Sequence, residues 1–274
     1  MQTNRSTFGP LALYFAVAFG WAWAFWVPEA LRQMGVIEIP EPLVGLHAEG
    51  QPAAWGPLIA AVIVALVYGR SQGLREPLSS LIRVRFSPWY YLVAIVLLPA
   101  IVGLAQLAAV IAGENVPPSP AFAEPISIPV SFVFIFFLSG PLQEEAGWRG
   151  TSTRLFQQRI GALWASLVTG LAWGLWHLPL FFMEREDIYY NRPFLGLLIS
   201  TVLLSVLFTW VYNNTRQSLF AAMLIHTSWN WANYLFTGLL TDTGGLTFMI
   251  LLAGIVVLVV IRYGPRTLTA PGMR

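Results

Sequence analysis

The sequence contains no cysteine and no lysine, and only 10% of its residues are charged. The lack of cysteine excludes disulfides, thiolate metal sites and a cysteine nucleophile. All 15 basic residues are arginine, and a formal net charge of +2 leaves no electrostatic footprint for nucleic acid. A soluble domain carries roughly 25% charged residues, so charge is scarce here. Apolar residues are abundant instead, at 57% of 274. They are gathered into long runs rather than spread at amphipathic spacing, which makes lipid the expected solvent. The first run, from Phe8 to Pro28, is about 20 residues long and long enough to span. It ends in Trp21, Trp23, Phe25 and Trp26 rather than the small residues a signal peptidase needs, so a retained helix is expected.

The expected fold is an all-α polytopic membrane protein of about eight transmembrane helices, forming a single membrane domain over residues 1–274. The spans lie near Phe8–Val27, Pro52–Gly69, Trp89–Ala112, Ile128–Leu142, Ala162–Met183, Phe194–Tyr212, Ser218–Thr237 and Leu246–Ile261. Arginine distribution gives the orientation. With the N-terminus inside, the inner segments hold Arg5; Arg70, Arg75, Arg83 and Arg85; Arg149, Arg154 and Arg159; Arg216; and Arg262, Arg266 and Arg274. The outer loops hold only Arg32, Arg185 and Arg192. Miscounting one span destroys this segregation, so an N-in, C-in topology is expected. The localisation that follows is multi-pass integral membrane, at the plasma (inner) membrane in a prokaryote.

Five spans carry no Asp, Glu, Arg or His in their apolar stretches. The exceptions fall on spans four, five and seven: Glu144, Glu145 and Arg149; His177; and His226 with Asn230. An ionisable group at the bilayer centre costs at least about 2.5 kcal/mol, which makes each a functional-site candidate. Depth constrains the fourth helix. If it runs on through Gln158 after a bend at Pro141, Glu144 lies about 21 Å above its inner end. His177 then lies about 22 Å up the fifth helix, and His226 about 12 Å up the seventh, which starts nearer the membrane surface. A long, bent fourth helix is therefore expected. At 100° per residue, Glu145 and Arg149 lie one turn apart and can pair. Glu144 is turned about 140° from Arg149 and is the carboxylate left for chemistry. His226, Asn230 and Asn233 share one helix face, as do Trp173 and His177. A carboxylate, two imidazoles and a carboxamide in a dry site suit water activation and oxyanion stabilisation.

Glu144-Glu145-Ala146-Gly147-Trp148-Arg149 matches the EExxxR motif of the CAAX protease and bacteriocin-processing (CPBP, or Abi) family of intramembrane proteases. Trp173 through His177 matches its FxxxH motif with Trp for Phe, and His226 through Asn230 matches HxxxN. The three occur in order on separate expected helices within residues 128–237. The chain thus resembles this family, which includes the type II CAAX prenyl endopeptidase and bacterial members linked to peptide processing or immunity. The resemblance implies an endopeptidase acting near the cytoplasmic membrane surface on a peptide or membrane-associated protein, lipidated or not. In this reading Glu144 activates water with help from His177. His226 and Asn230 stabilise the oxyanion, while Glu145 and Arg149 hold the constellation in shape. No cofactor is expected. Should a metal be present, zinc on His177, His226 and Glu144 is the set to consider.

Other polar residues have simpler readings. His47, beside Glu41 and Glu49, reads as solvated, as do Glu184, Glu186 and Asp187 in an outer loop. Arg70, Arg75, Arg83 and Arg85 read as topology and headgroup contacts, and Gln106 as an interhelical hydrogen bond. Two other classes compete with the enzyme: a non-catalytic immunity or scaffold protein that keeps the family fold, and a transporter. The transporter needs broken helices in corresponding halves of the chain, and no such symmetry is present. The topology has a direct check. Reporter fusions after Arg85 are expected to report the cytoplasm and fusions after Ser119 the outside; the reverse pattern overturns the arginine count.

Overall fold

The computed structural model describes residues 8–40, 44, 51–69, 74–184, 186, 188–190 and 192–270. Arg5, Arg70, Arg185 and Arg274 of the arginine count, and Glu41, His47, Glu49 and Asp187, lie outside the described residues. Among the described residues there is no strand. The helices are α1 (Phe8–Gln33), α2 (Gln51–Ala54), α3 (Gly56–Tyr68), α4 (Arg75–Leu81), α5 (Pro88–Ile111), α6 (Ser127–Leu138), α7 (Pro141–Gly147), α8 (Arg154–Trp176), α9 (Phe194–Asn214), α10 (Leu219–Leu235) and α11 (Asp242–Tyr263).

Among the described residues, five stretches are long and apolar enough to cross a membrane: Phe8–Gln33, Pro88–Ile111, Ser127–Phe182, Phe194–Asn214 and Asp242–Tyr263. The third contains the expected spans four and five together. A shorter apolar helix, Pro52–Tyr68, stands where the second span was expected, and the 17-residue α10 where the seventh was. The all-α membrane architecture read from hydropathy is therefore present, and the chain is an integral membrane protein.

The chain forms two compact units, Met1–Leu78 with Gln143–Ser205 and Ser79–Leu142 with Val206–Arg274. In the first unit, α1 runs past Pro28, where hydropathy alone ended it. The buried Glu29 bonds along the last turn to Arg32, at 2.7 Å, and to Gln33, at 2.6 Å. These side-chain bonds along the final turn make Arg32 part of a helix end rather than of a loop.

The fourth span is interrupted where a bend was expected. Ser139 (φ −132°, ψ 60°) and Gly140 (φ 107°) leave helical geometry just before Pro141. A side chain at 140 would be strained, since positive φ of this kind is tolerated by glycine. From Pro141 the chain is helical again through a π-helical turn at Trp148–Thr153 and on into α8. The Thr151 hydroxyl bonds to the Ala146 carbonyl, five residues back, across the widened turn. The helix thus does run beyond Gln158, as the depth argument required.

Gly161 (φ 76°, ψ 169°) then breaks α8 internally. Ser152 and Thr153, before that break, bond through their hydroxyls to Thr169 after it, at 2.9 and 3.2 Å. The two halves therefore lie side by side. In the second unit α5 packs on α10 and α11. Gln106 accepts from the backbone N–H groups of Thr237 and Gly238 at 2.9 and 3.1 Å, so it ties down the loop after α10.

The reversal at Gly161 uses a backbone conformation essentially restricted to glycine, worth about 1–3 kcal/mol of strain for any other residue. Gly161→Ala is expected to lower the thermal unfolding midpoint of the detergent-purified protein. An unchanged midpoint contradicts the assigned turn.

Candidate active site

The first unit gathers Glu144, Glu145, Arg149, Trp173 and His177. Glu145 and Arg149 lie one turn apart on the same helical segment, and their side chains meet at 3.0 Å with no exposure of either. The pairing follows the helix wheel. An ion pair this deep is costly to desolvate, and it holds only while both partners are present. Arg149 also stacks its guanidinium over the Trp173 ring, 5.1 Å from the centroid, a cation–π contact strengthened by the dry surroundings.

Glu144 faces elsewhere, as its position on the wheel requires. Its Oε2 accepts two indole N–H bonds, from Trp148 at 3.1 Å and from Trp173 at 2.6 Å. Indole nitrogen can only donate, so Oε2 is the acceptor of both bonds. Trp148 lies four residues on from Glu144 and is fully buried. The Trp that stands where the motif has Phe therefore packs as an aromatic and also donates a hydrogen bond.

Trp173 reaches the histidine as well. His177 Nδ1 lies 2.8 Å from the Trp173 carbonyl. A carbonyl can only accept, so Nδ1 carries a proton, and in the neutral form of the ring the lone pair is then on Nε2. The α-helical part of α8 ends at Trp176, making His177 its C-cap, and a 3₁₀ turn follows at Leu178–Phe182. Trp26 and Tyr189 lie nearly parallel to the imidazole, with centroids at 6.3 and 5.6 Å, and Trp176 meets it edge-on at 4.8 Å. Burial, followed by the charges of Glu144 and Glu186, pushes the Tyr189 phenol above its usual range, so it stays protonated.

Helix α1 closes this region. Trp176 donates to the Ala18 carbonyl at 3.2 Å, and Trp23 donates to the Trp176 carbonyl at 3.0 Å. Tyr14 packs edge-on against Trp148 with centroids 5.8 Å apart. Tyr14, Trp26, Trp148 and Tyr189 were not singled out from sequence. Only Trp148 carried a signal, its i+4 spacing from Glu144; the others arrive from distant elements.

His226 and Asn230 belong to the second unit, on α10. His226 is buried against Phe208, with ring centroids 5.4 Å apart. Asn230 Nδ2 donates to the Ser139 carbonyl at 3.0 Å, at the break before Pro141. Asn233, on the same face, instead bonds to the Trp229 carbonyl one turn back.

A zinc ion can be weighed against the donors themselves. His177 suits a metal, since a Nδ1–H···O=C bond is the usual support for a ligating Nε2. Glu144 suits it poorly through Oε2, whose two lone pairs already face N–H donors, and the Arg149 charge lies one helical turn beyond. The carboxylate is built to accept hydrogen bonds.

Trp173→Phe keeps the ring and removes its N–H. The substitution is expected to destabilise the protein by about 1.5–3 kcal/mol, the range for a hydrogen bond to a charged group. A thermal midpoint equal to that of wild type contradicts the bond to Glu144.

Residues 126–232 match the family model described as type II CAAX prenyl endopeptidase Rce1-like. The chain is also 29% identical over 141 residues to the CAAX prenyl protease 2 of Methanococcus maripaludis, an alignment covering 49% of this chain and 52% of the relative. The chain thus matches about half the length of this curated relative. The matched regions bear out the resemblance read from the three motifs: over residues 126–232 this protein is similar to the Rce1-like type II CAAX prenyl endopeptidases.

Proposed function

We propose that this protein is an intramembrane endopeptidase that hydrolyses a peptide bond with water activated by Glu144. The carrying observation is the setting of that carboxylate: 5% exposed, held on Oε2 by two indole donors, and linked through Trp173 to a histidine whose tautomer is fixed. Nothing in the packing of an apolar bundle calls for such a group, and desolvated carboxylates mark sites of chemistry.

In the proposed reaction Glu144 takes a proton from water while the water oxygen attacks the scissile carbonyl carbon. His177 Nε2 accepts a hydrogen bond from the same water. By the family resemblance His226 and Asn230 donate to the carbonyl oxygen as it becomes an oxyanion. The C–N bond then breaks and the proton held by Glu144 passes to the departing nitrogen, leaving a carboxylate and an amine. Glu145 and Arg149 stay paired throughout and keep the helical segment in place. The substrate proposed from the relatives' description is a prenylated peptide or protein, with cleavage near the cytoplasmic membrane surface as the motif resemblance implies.

The test uses purified protein in liposomes with a farnesylated peptide ending in a CAAX sequence. Wild type is expected to cleave it, and Glu144→Gln to lose turnover while keeping its thermal midpoint; a fully active Glu144→Gln rules out the base. Arg149→Ala is expected to lose both activity and about 3–5 kcal/mol of stability, because Glu145 then faces no cation in a dry site. Turnover is also proposed to need no stoichiometric metal, so activity is expected to survive exhaustive chelation. Loss on chelation with recovery on adding zinc transfers His177, His226 and Glu144 to a metal site.

A further inference from the structure

Tyr14 is fully buried in the N-terminal third of α1, and its hydroxyl has no hydrogen-bond partner among the described residues. A buried polar atom in that condition is rare and calls for a physical reason. Space filling does not supply one, because phenylalanine gives the same ring without the stranded hydroxyl. The ring sits edge-on to Trp148, the residue that donates to Glu144.

The hydroxyl itself is aimed at Gly147. A Cβ built at that glycine would lie 2.6 Å from the Tyr14 oxygen, and equally close to the Pro57 carbonyl oxygen and Cβ. Gly147 is three residues after Glu144, so the two share a helix face. The tyrosine hydroxyl therefore approaches the helix on the side that carries the carboxylate. The absence of a side chain at Gly147 is what lets the oxygen come so near.

We propose that Tyr14 is a positioning residue of the hydrolytic site, its hydroxyl holding a water against Glu144. This rests on the hydrolase reading above. A water bridging the two groups satisfies a buried phenol and a buried carboxylate together, and it supplies the reactant that hydrolysis needs in a dry interior. The bridge is a device of α1, which carries none of the three motifs.

The experiment uses the full chain in liposomes. Infrared spectra of wild type are expected to contain an O–H stretching band that shifts in H₂¹⁸O and is lost in both Tyr14→Phe and Glu144→Gln. Retention of that band in Tyr14→Phe overturns the proposal, with no reference to activity. On the farnesylated peptide, Tyr14→Phe is expected to lower kcat about ten- to a hundred-fold with KM unchanged. Its thermal midpoint is expected to be no lower than wild type; a kcat equal to wild type also overturns the proposal. If wild type fails to cleave any prenylated peptide, the hydrolase reading fails, while the band still decides whether Tyr14 and Glu144 share a water. Should Tyr14→Phe not fold, 3-fluorotyrosine placed at position 14 keeps the shape and strengthens the donor. The band is then expected to move, and an unmoved band is contrary to the proposal.

Discussion

The arrangement of the first unit depends on what one indole does. Trp173 donates its N–H to Glu144, offers its ring face to Arg149 and accepts at its carbonyl from His177 Nδ1. One residue thereby orients the carboxylate, backs the cation and fixes the tautomer of the histidine. These contacts are mutually reinforcing, because each is stronger in a dry interior than in water and each helps to exclude water. The cost is rigidity: none of the three groups can turn without breaking a bond that serves another.

The surroundings explain how so much polarity is tolerated among apolar helices. Trp148, Trp176, Trp26 and Tyr14 form a buried aromatic layer in which indole nitrogens and a phenol supply polar atoms without adding charge. Aromatic side chains with a single polar atom can shield an ion pair and still hydrogen-bond to it. The π-helical turn at Trp148–Thr153 belongs to the same construction, for such turns re-aim side chains within a continuing helix. It comes immediately after Gly147, and the turn begins at the tryptophan that donates to Glu144.

Much of this was legible in the sequence, and the boundary has a physical meaning. The Glu145–Arg149 pair, the divergence of Glu144 and the shared face of Trp173 and His177 depend only on helix periodicity, so spacing revealed them. Continuation of the fourth helix past Gln158 followed from the depth at which a charge can be useful. The contributions of Tyr14, Trp26 and Tyr189 depend on packing between elements far apart in the chain, and no local pattern announces them. At the end of α1, Trp23 donates to the Trp176 carbonyl and Trp26 packs on Trp176 and His177, contacts that spacing along the chain does not announce. Arg32 was assigned to a loop because Pro28 marked a helix end, while the side-chain bonds of Glu29 are visible only in three dimensions. The break at Ser139–Gly140 was anticipated as a bend, since proline spacing gives the place of an irregularity and not its size.

The central claim is that Glu144 activates water and is not itself the nucleophile. A single turnover of the purified protein with a farnesylated CAAX peptide in H₂¹⁸O separates the two directly. Activated water places one ¹⁸O in the new carboxylate of the cleaved peptide during the first turnover and leaves Glu144 unlabelled. A first-turnover product without ¹⁸O, together with ¹⁸O incorporated into the Glu144 side chain, would contradict the account, because the glutamate would then have formed a covalent anhydride with the substrate.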